Sequence, residues 1–359
     1  MNTKVQYWIR PEIQSLSAYH VPDPGKMVKL DAMENPYSLP EDIKGKWLEI
    51  LRDVELNRYP DPAARSLTEQ LRTAMQVPAE AKIILGNGSD ELIQIILMAV
   101  AKNDRVVLSV EPSFVMYKMI AAYTDMQYVG VPLNEDFSLN ETALLSAIEA
   151  QQPAVIFLAY PNNPTGNLFD ESVIEKVIQR APGLVVIDEA YHAFAERSYM
   201  AKVLDYDNVV VMRTVSKLGL AGLRLGLLAG SEDWLNEFDK VRLPYNINVL
   251  TQTTAEFALA HKEIFDSQTV EIRKERTELF NALHAIEGLV VYPSSANFIL
   301  FRTPEGMADQ IFNGLKAQAV LIKNLNPSGG SLKDCLRVTV GKPEENAAFL
   351  DALKNVLSR

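Results

Sequence analysis

Short runs of Val, Ile and Leu recur along the chain, each followed by a stretch of helical period, and this alternation constrains the fold more than any other feature. The runs are KIIL (82–85), VVLSV (106–110), AVIFLA (154–159), LVVID (184–188), VVVM (209–212) and LGLLAG (225–230). They are apolar at nearly every position, as strands must be when helices cover both faces of a sheet. The alternation predicts an α/β fold with a mainly parallel central sheet. Upstream, Ile43, Trp47, Ile50, Leu51 and Val54 repeat at helical spacing behind Pro40, so a helix precedes the first of these strands. After Asn248 the texture changes. A long helical stretch runs to about Ile286, followed by NFILF (297–301), a helix near 305–318, LRVTV (336–340) and a last helix from Pro343. The expected division is a large α/β domain over 46–248 and a smaller α+β domain from 249–359, completed by an N-terminal arm of residues 1–45. No internal repeat interrupts this plan, and PSGGS (327–331) is the main loop-like cluster.

Charge narrows the function. With 35 basic and 46 acidic residues the formal net charge is −11, the wrong sign for a chain that binds nucleic acid or an anionic membrane. The single cysteine, Cys335, cannot form an internal disulfide, and the four histidines show no spacing typical of metal ligands. The start, MNTKVQYWIRPEI, has no secretory signal pattern, and Leu92 to Ala101 is far shorter than the roughly 20 residues of a membrane span. A cytoplasmic protein is expected.

Four elements carry chemistry, each at the end of an expected strand. GNGSDE (86–91) places a Gly-rich turn before an apolar helix, where free backbone N–H groups suit a phosphate, although Gly and Ser89 there also serve an ordinary turn and cap. YPNNPTG (160–166) follows strand 154–159, at the edge where ligands bind in open parallel sheets, and offers the Asn163 amide. VVIDEAYHAF (185–194) ends a buried strand on Asp188, with Tyr191 close behind. A carboxylate there requires a cation or several donors, which a structural Arg or Lys could equally supply. MRTVSKLGLAGLRLG (212–226) groups Thr214, Ser216, Lys217 and Arg224.

Taken in order, these elements resemble the pyridoxal phosphate (PLP)-dependent transferases of fold type I, the aspartate aminotransferase fold. IRPEIQSLSAYHVPD (9–23), VKLDAMENPY (28–37), RYPDP (58–62) and CLRVTVG (335–341) extend the likeness over essentially the whole chain, and it is similar to the histidinol-phosphate aminotransferase family of histidine biosynthesis. The resemblance implies transfer of an amino group between histidinol phosphate or imidazole acetol phosphate and glutamate or 2-oxoglutarate. It implies a catalytic set of Lys217, Asp188 and Tyr191, with PLP held as a Schiff base on Lys217 and the freed lysine shuttling a proton. Asp188 would pair with the pyridine nitrogen, Asn163 and Tyr191 with the 3′ oxygen, and Phe114 of EPSF would stack on the ring. Ser89, Asp90, Thr214, Ser216 and Arg224 would hold the phosphate, joined by Tyr59 from the other subunit of a homodimer with a shared site. Arg337, Tyr19 and Lys323 would meet the substrate. Two departures stand out: Lys217 and Arg224 lie one position closer than in many members, and Lys323 stands where some have arginine, keeping the charge without the bidentate fork.

The same cofactor residues would serve a threonine-phosphate decarboxylase or an aromatic amino acid aminotransferase, and the N-terminal IRPEI and SAYHVPD favour histidinol phosphate over both. An NAD-linked oxidoreductase would need a GxGxxG turn, whose spacing GNGSDE lacks. A PLP-fold transcription regulator would need a DNA-binding module, for which the charge is wrong.

Overall fold

In the computed structural model, residues 3–18 and 22–358 are described, and among them the strands form two sheets. In chain order the strands are β1 (Val28–Leu30), β2 (Lys82–Gly86), β3 (Val106–Glu111), β4 (Gln127–Pro132), β5 (Val155–Ala159), β6 (Leu184–Asp188), β7 (Val209–Thr214), β8 (Gly226–Gly230), β9 (Val290–Val291), β10 (Phe298–Arg302), β11 (Val320–Asn324) and β12 (Cys335–Thr339). The larger sheet runs β2-β8-β7-β6-β5-β3-β4 and the smaller β1-β11-β12-β10-β9. In the larger sheet β3 to β7 pair in parallel and β8 runs antiparallel between β7 and β2.

Each parallel strand divides its apolar side chains between two cores. Val185 and Ile187 of β6 face one cluster with Leu67, Leu71, Leu144 and Ile174, whereas Leu184 and Val186 face another with Leu92, Ile96, Ile120 and Phe238. Both faces are therefore covered by helices, which is why the strands read as continuous apolar runs. All strands expected from sequence form, with ends shifted by one or two residues. Four were not anticipated: the edge strand β4, the short β1 and β9, and β11.

The smaller sheet encloses its own core, with Phe298, Phe301, Ile311, Leu336, Val338 and Phe349 buried. β1 joins it by pairing in parallel with β11, Val28 opposite Val320 and Leu30 opposite Ile322. The long helical stretch after Asn248 is two helices, Val249–Ala260 and Lys262–His284, broken at His261, whose Nδ1 lies 2.9 Å from the Phe257 carbonyl oxygen.

One buried ion pair ties the strand ends together. From β7, the Arg213 Nε donates to Glu189 Oε2 at 2.8 Å, NH1 to the Met75 carbonyl at 2.6 Å, and NH2 to Ser198 Oγ at 2.8 Å. Glu189 follows β6 directly and is fully buried. Removing the cation would leave its carboxylate uncompensated in a low-dielectric interior. Arg213→Ala is expected to cost about 3–5 kcal/mol in chemical denaturation. A loss below about 1 kcal/mol would show that Glu189 reaches solvent instead.

Candidate active site

The parallel strands end on one edge, and the residues following them converge there on a single cavity. It is lined by Ser89, Asp90, Phe114, Asn163, Asp188, Tyr191, Thr214, Ser216, Lys217 and Arg224, each singled out from sequence, together with Met33, Ala159, Pro161 and Ala190.

The glycines make the first wall. Gly88, at φ 87°, precedes the helix Ser89–Val100, and a Cβ there would lie 2.7 Å from the Arg224 guanidinium. Gly226 must also lack a side chain, since its Cβ would fall 2.9 Å from the Ser89 nitrogen. Only glycine gives a backbone this close an approach. Across the gap Arg224 NH2 donates to Asp90 Oδ2 at 3.2 Å. The guanidinium is thus parked at the start of a helix, where N–H groups and the helix dipole favour an anion. Thr214 and Ser216 are buried beside it, with 2.9 Å between their hydroxyls.

Asp188 ends β6 with no ion pair among the described residues. Its Oδ2 accepts from the Tyr117 hydroxyl at 2.6 Å and its Oδ1 from the Ala190 N–H at 3.0 Å. Burial raises its pKa to about 6, against the pull of these two donors. The structural partner that could have explained this carboxylate is engaged elsewhere, because Arg213 binds Glu189. Tyr117 was not foreseen, although it lies one helical turn after Phe114 and meets that ring edge-on at 5.6 Å.

Lys217 sits in the turn Ser216–Leu218 after β7, its Nζ 3.4 Å from the Ala32 carbonyl oxygen and 5.8 Å from the Tyr191 ring centre. Burial, then the nearby Arg337, lowers its pKa to about 8. Asn163 joins the two halves of the site: its Nδ2 donates to the Tyr191 hydroxyl at 3.1 Å, while its Oδ1 accepts from Arg337 NH1 at 2.6 Å. Arg337 is buried on β12, over the Phe298 ring, and stands opposite Lys323 of β11 in the antiparallel register. Burial and Arg337 lower the Lys323 pKa.

Tyr59 is not among the cavity's residues. It is 80% exposed and stacks on Tyr245 with 4.4 Å between ring centres. Tyr19 lies outside the described residues. Met33, not anticipated in the site, has φ 53°, a left-handed conformation that costs a non-glycine residue on the order of 1–3 kcal/mol.

The sequence profile of the family described as "Aminotransferase class I and II" matches residues 25–353. The chain belongs to the class I and II aminotransferases. Histidinol-phosphate aminotransferase 2 of Nitrosococcus oceani is 56% identical to this aminotransferase over 351 residues, covering 98% of each chain. Histidinol-phosphate aminotransferase 1 of Burkholderia lata is 50% identical over 356 residues, 99% of each. The crystal structure of histidinol-phosphate aminotransferase from Sinorhizobium meliloti in complex with pyridoxal-5'-phosphate shares the fold, at a TM-score of 0.87 and 24% identity over 98% of both chains.

Aminotransferases of this family use PLP, and the cavity fits it. Asp188 is a buried carboxylate lacking a cation, as a protonated ring nitrogen requires. The donors at Ser89, Thr214, Ser216 and Arg224 suit a phosphate, and Lys217 offers an amine whose charged form is disfavoured.

Without the cofactor, Asp188 is a liability that grows with pH. Its folded pKa lies above the ordinary 3.8, so the folded state holds the proton more tightly and stability falls as pH rises from about 4 to 6. Asp188→Asn removes that cost, on the order of 3 kcal/mol. The variant apoprotein is therefore expected to melt above the wild type at pH 8 and level with it near pH 4, while losing turnover. A variant that melts lower at pH 8 would mean that Asp188 is compensated within the chain.

Proposed function

We propose that this aminotransferase moves an amino group between histidinol phosphate or imidazole acetol phosphate and glutamate or 2-oxoglutarate, in histidine biosynthesis. The observation that carries this reading is 56% identity over 98% of the chain to a protein of that name. The arrangement of cations supports it. Arg337 and Lys323 stand side by side on neighbouring strands, with Arg337 near the amine of Lys217, and suit substrates that bring anionic groups.

When bound, PLP supplies a conjugated sink for the electron pair left at the substrate Cα. The chain's residues do the rest. Lys217 anchors the cofactor, and with a pKa of about 8 its Nζ is neutral in an appreciable fraction near neutrality. Once free, that nitrogen would take the proton from the substrate Cα and deliver it to the C4′ carbon of the cofactor. Asp188 would face the ring nitrogen and keep it protonated. Asn163 and Tyr191 would hydrogen-bond the 3′ oxygen, Phe114 would cover the ring, and Ser89, Asp90, Thr214, Ser216 and Arg224 would form the phosphate cradle. Arg337 would hold a substrate carboxylate by its planar fork, with Lys323 alongside, and Tyr19 is assigned to the substrate by the resemblance alone.

A half-reaction screen tests the substrate. Purified enzyme is mixed with histidinol phosphate, phenylalanine and threonine phosphate while cofactor absorbance and products are followed. Histidinol phosphate is expected to give a kcat/KM at least about tenfold above the others. Carbon dioxide from threonine phosphate, or a preference for phenylalanine, would replace the proposal with a decarboxylase or an aromatic aminotransferase. Borohydride reduction should place the label on Lys217, and Lys217→Ala should lose both label and turnover.

The proposal extends to assembly: a cytoplasmic homodimer, each chain divided into a large domain (46–248) and a small one (1–45 with 249–359). Among the described residues no helix is long and apolar enough to cross a membrane. Tyr59 is exposed beside Tyr245 in a proline-stiffened loop, a suitable platform for reaching the phosphate in the other subunit. Tyr59→Ala and Lys217→Ala, refolded together, should form heterodimers in which one site carries both lesions and the other neither. Activity should rise above either parent toward about a quarter of wild type, as two-fold symmetry requires. A mixture no better than its parents, with subunit exchange shown independently, would assign Tyr59 to its own subunit.

A further inference from the structure

Residues 31–33, just beyond β1, form an unusually well anchored segment at the mouth of the site. Arg337 NH2 donates to the Asp31 carbonyl at 3.0 Å, Lys217 Nζ to the Ala32 carbonyl at 3.4 Å, and Asn297 Nδ2 to the Met33 carbonyl at 2.9 Å. The Met33 N–H donates in turn to Thr339 Oγ1 at 2.9 Å. Three successive carbonyls thus take side-chain donors, from the smaller sheet and from the turn after β7. This clamp holds Met33 at φ 53°, a conformation that glycine and asparagine tolerate and methionine does not favour. Met33 lines the same cavity as Lys217 and packs at the edge of the core that contains Tyr191 and Phe298.

A side chain kept on an unfavourable backbone, inside a binding cavity, points to function rather than folding. Methionine brings an unbranched chain with three rotatable bonds and a polarisable sulfur that makes favourable contacts with aromatic rings. Those properties match a peculiarity of the reaction proposed above. The site must accept a substrate bearing a flat imidazole ring and then, in the other half-reaction, glutamate, which has none.

We propose that Met33 is a specificity-determining residue, whose side chain forms the adaptable apolar contact for the ring-bearing substrate and moves aside for glutamate. The clamp fixes where the side chain starts, and its own flexibility supplies the adjustment. The inference rests on the function proposed above.

The test compares wild type, Met33→Asn and Met33→Leu in each half-reaction separately, with apoprotein Tm as a second readout. Met33→Asn accepts the left-handed backbone, so its Tm should rise by about 1–4 °C. Its kcat/KM for histidinol phosphate should fall about tenfold while that for glutamate stays within about twofold. Met33→Leu, apolar and of similar volume but branched and stiffer, should keep the histidinol phosphate half-reaction within about threefold of wild type and slow the glutamate half-reaction more than that. A lower Tm for Met33→Asn, an equal loss in both half-reactions, or an unchanged histidinol phosphate half-reaction overturns the proposal. A wild type that ignores histidinol phosphate but turns over phenylalanine refutes the proposed substrate alone, and the same criteria then apply to phenylalanine against glutamate. A wild type that accepts no ring-bearing donor overturns both.

Discussion

A carboxylate at the end of a fully covered strand is the constraint around which this site is organised. Asp188 lies at the end of a fully buried run, with Val185, Val186 and Ile187 before it wholly buried. Two neutral donors, the Tyr117 hydroxyl and the Ala190 N–H, hold it in place without neutralising its charge. The nearby cations are directed elsewhere: Arg213 pairs with Glu189, Arg224 contacts Asp90, and Arg337 donates to Asn163 and the Asp31 carbonyl. An electrostatic demand left open in this way is met by a ligand that carries its own positive nitrogen. Stability is given up so that the pocket is complementary to its cofactor.

Lys217 is the counterpart of that arrangement. Its amine is disfavoured as a cation by burial and by Arg337, while Glu34 and Asp90 pull the other way. Both groups are thus held off their ordinary pKa values by the same low-dielectric surroundings, in opposite senses: the acid is raised and the base is lowered. Such pairs mark reactive sites, because each group sits nearer to neutrality than its chemistry in water would allow.

Much of this was readable from the chain. The parallel strands declare themselves because burial on both faces leaves no polar position, and the residues after them announce the site because strand ends are where such sheets bind ligands. β4 escaped because it is an edge strand, closed by Pro132 and half-exposed, and β1 because only three residues pair. The break at His261 is invisible to periodicity, since apolar residues continue on both sides of it. Tyr117 carried a faint signal, one turn after Phe114. Met33 carried none, since its importance lies in a backbone angle imposed by Asn297 and Thr339, residues remote in sequence. The facing of Lys323 and Arg337 likewise depends on a strand register that spacing alone does not reveal.

The placement of β1 has a consequence for how the chain reaches this state. Val28–Leu30 is synthesised long before its partner, Val320–Asn324, with the whole larger sheet between them in the chain. The large sheet can close in the interval, because all of its strands and their pairing partners lie between Lys82 and Gly230. The N-terminal segment must meanwhile remain unattached with one apolar strand exposed. Its brevity and the charge of Lys29 at its centre are the features that keep an unpaired edge from recruiting another chain. The segment that carries Met33 therefore docks only after β11 has been made, so the site becomes competent late.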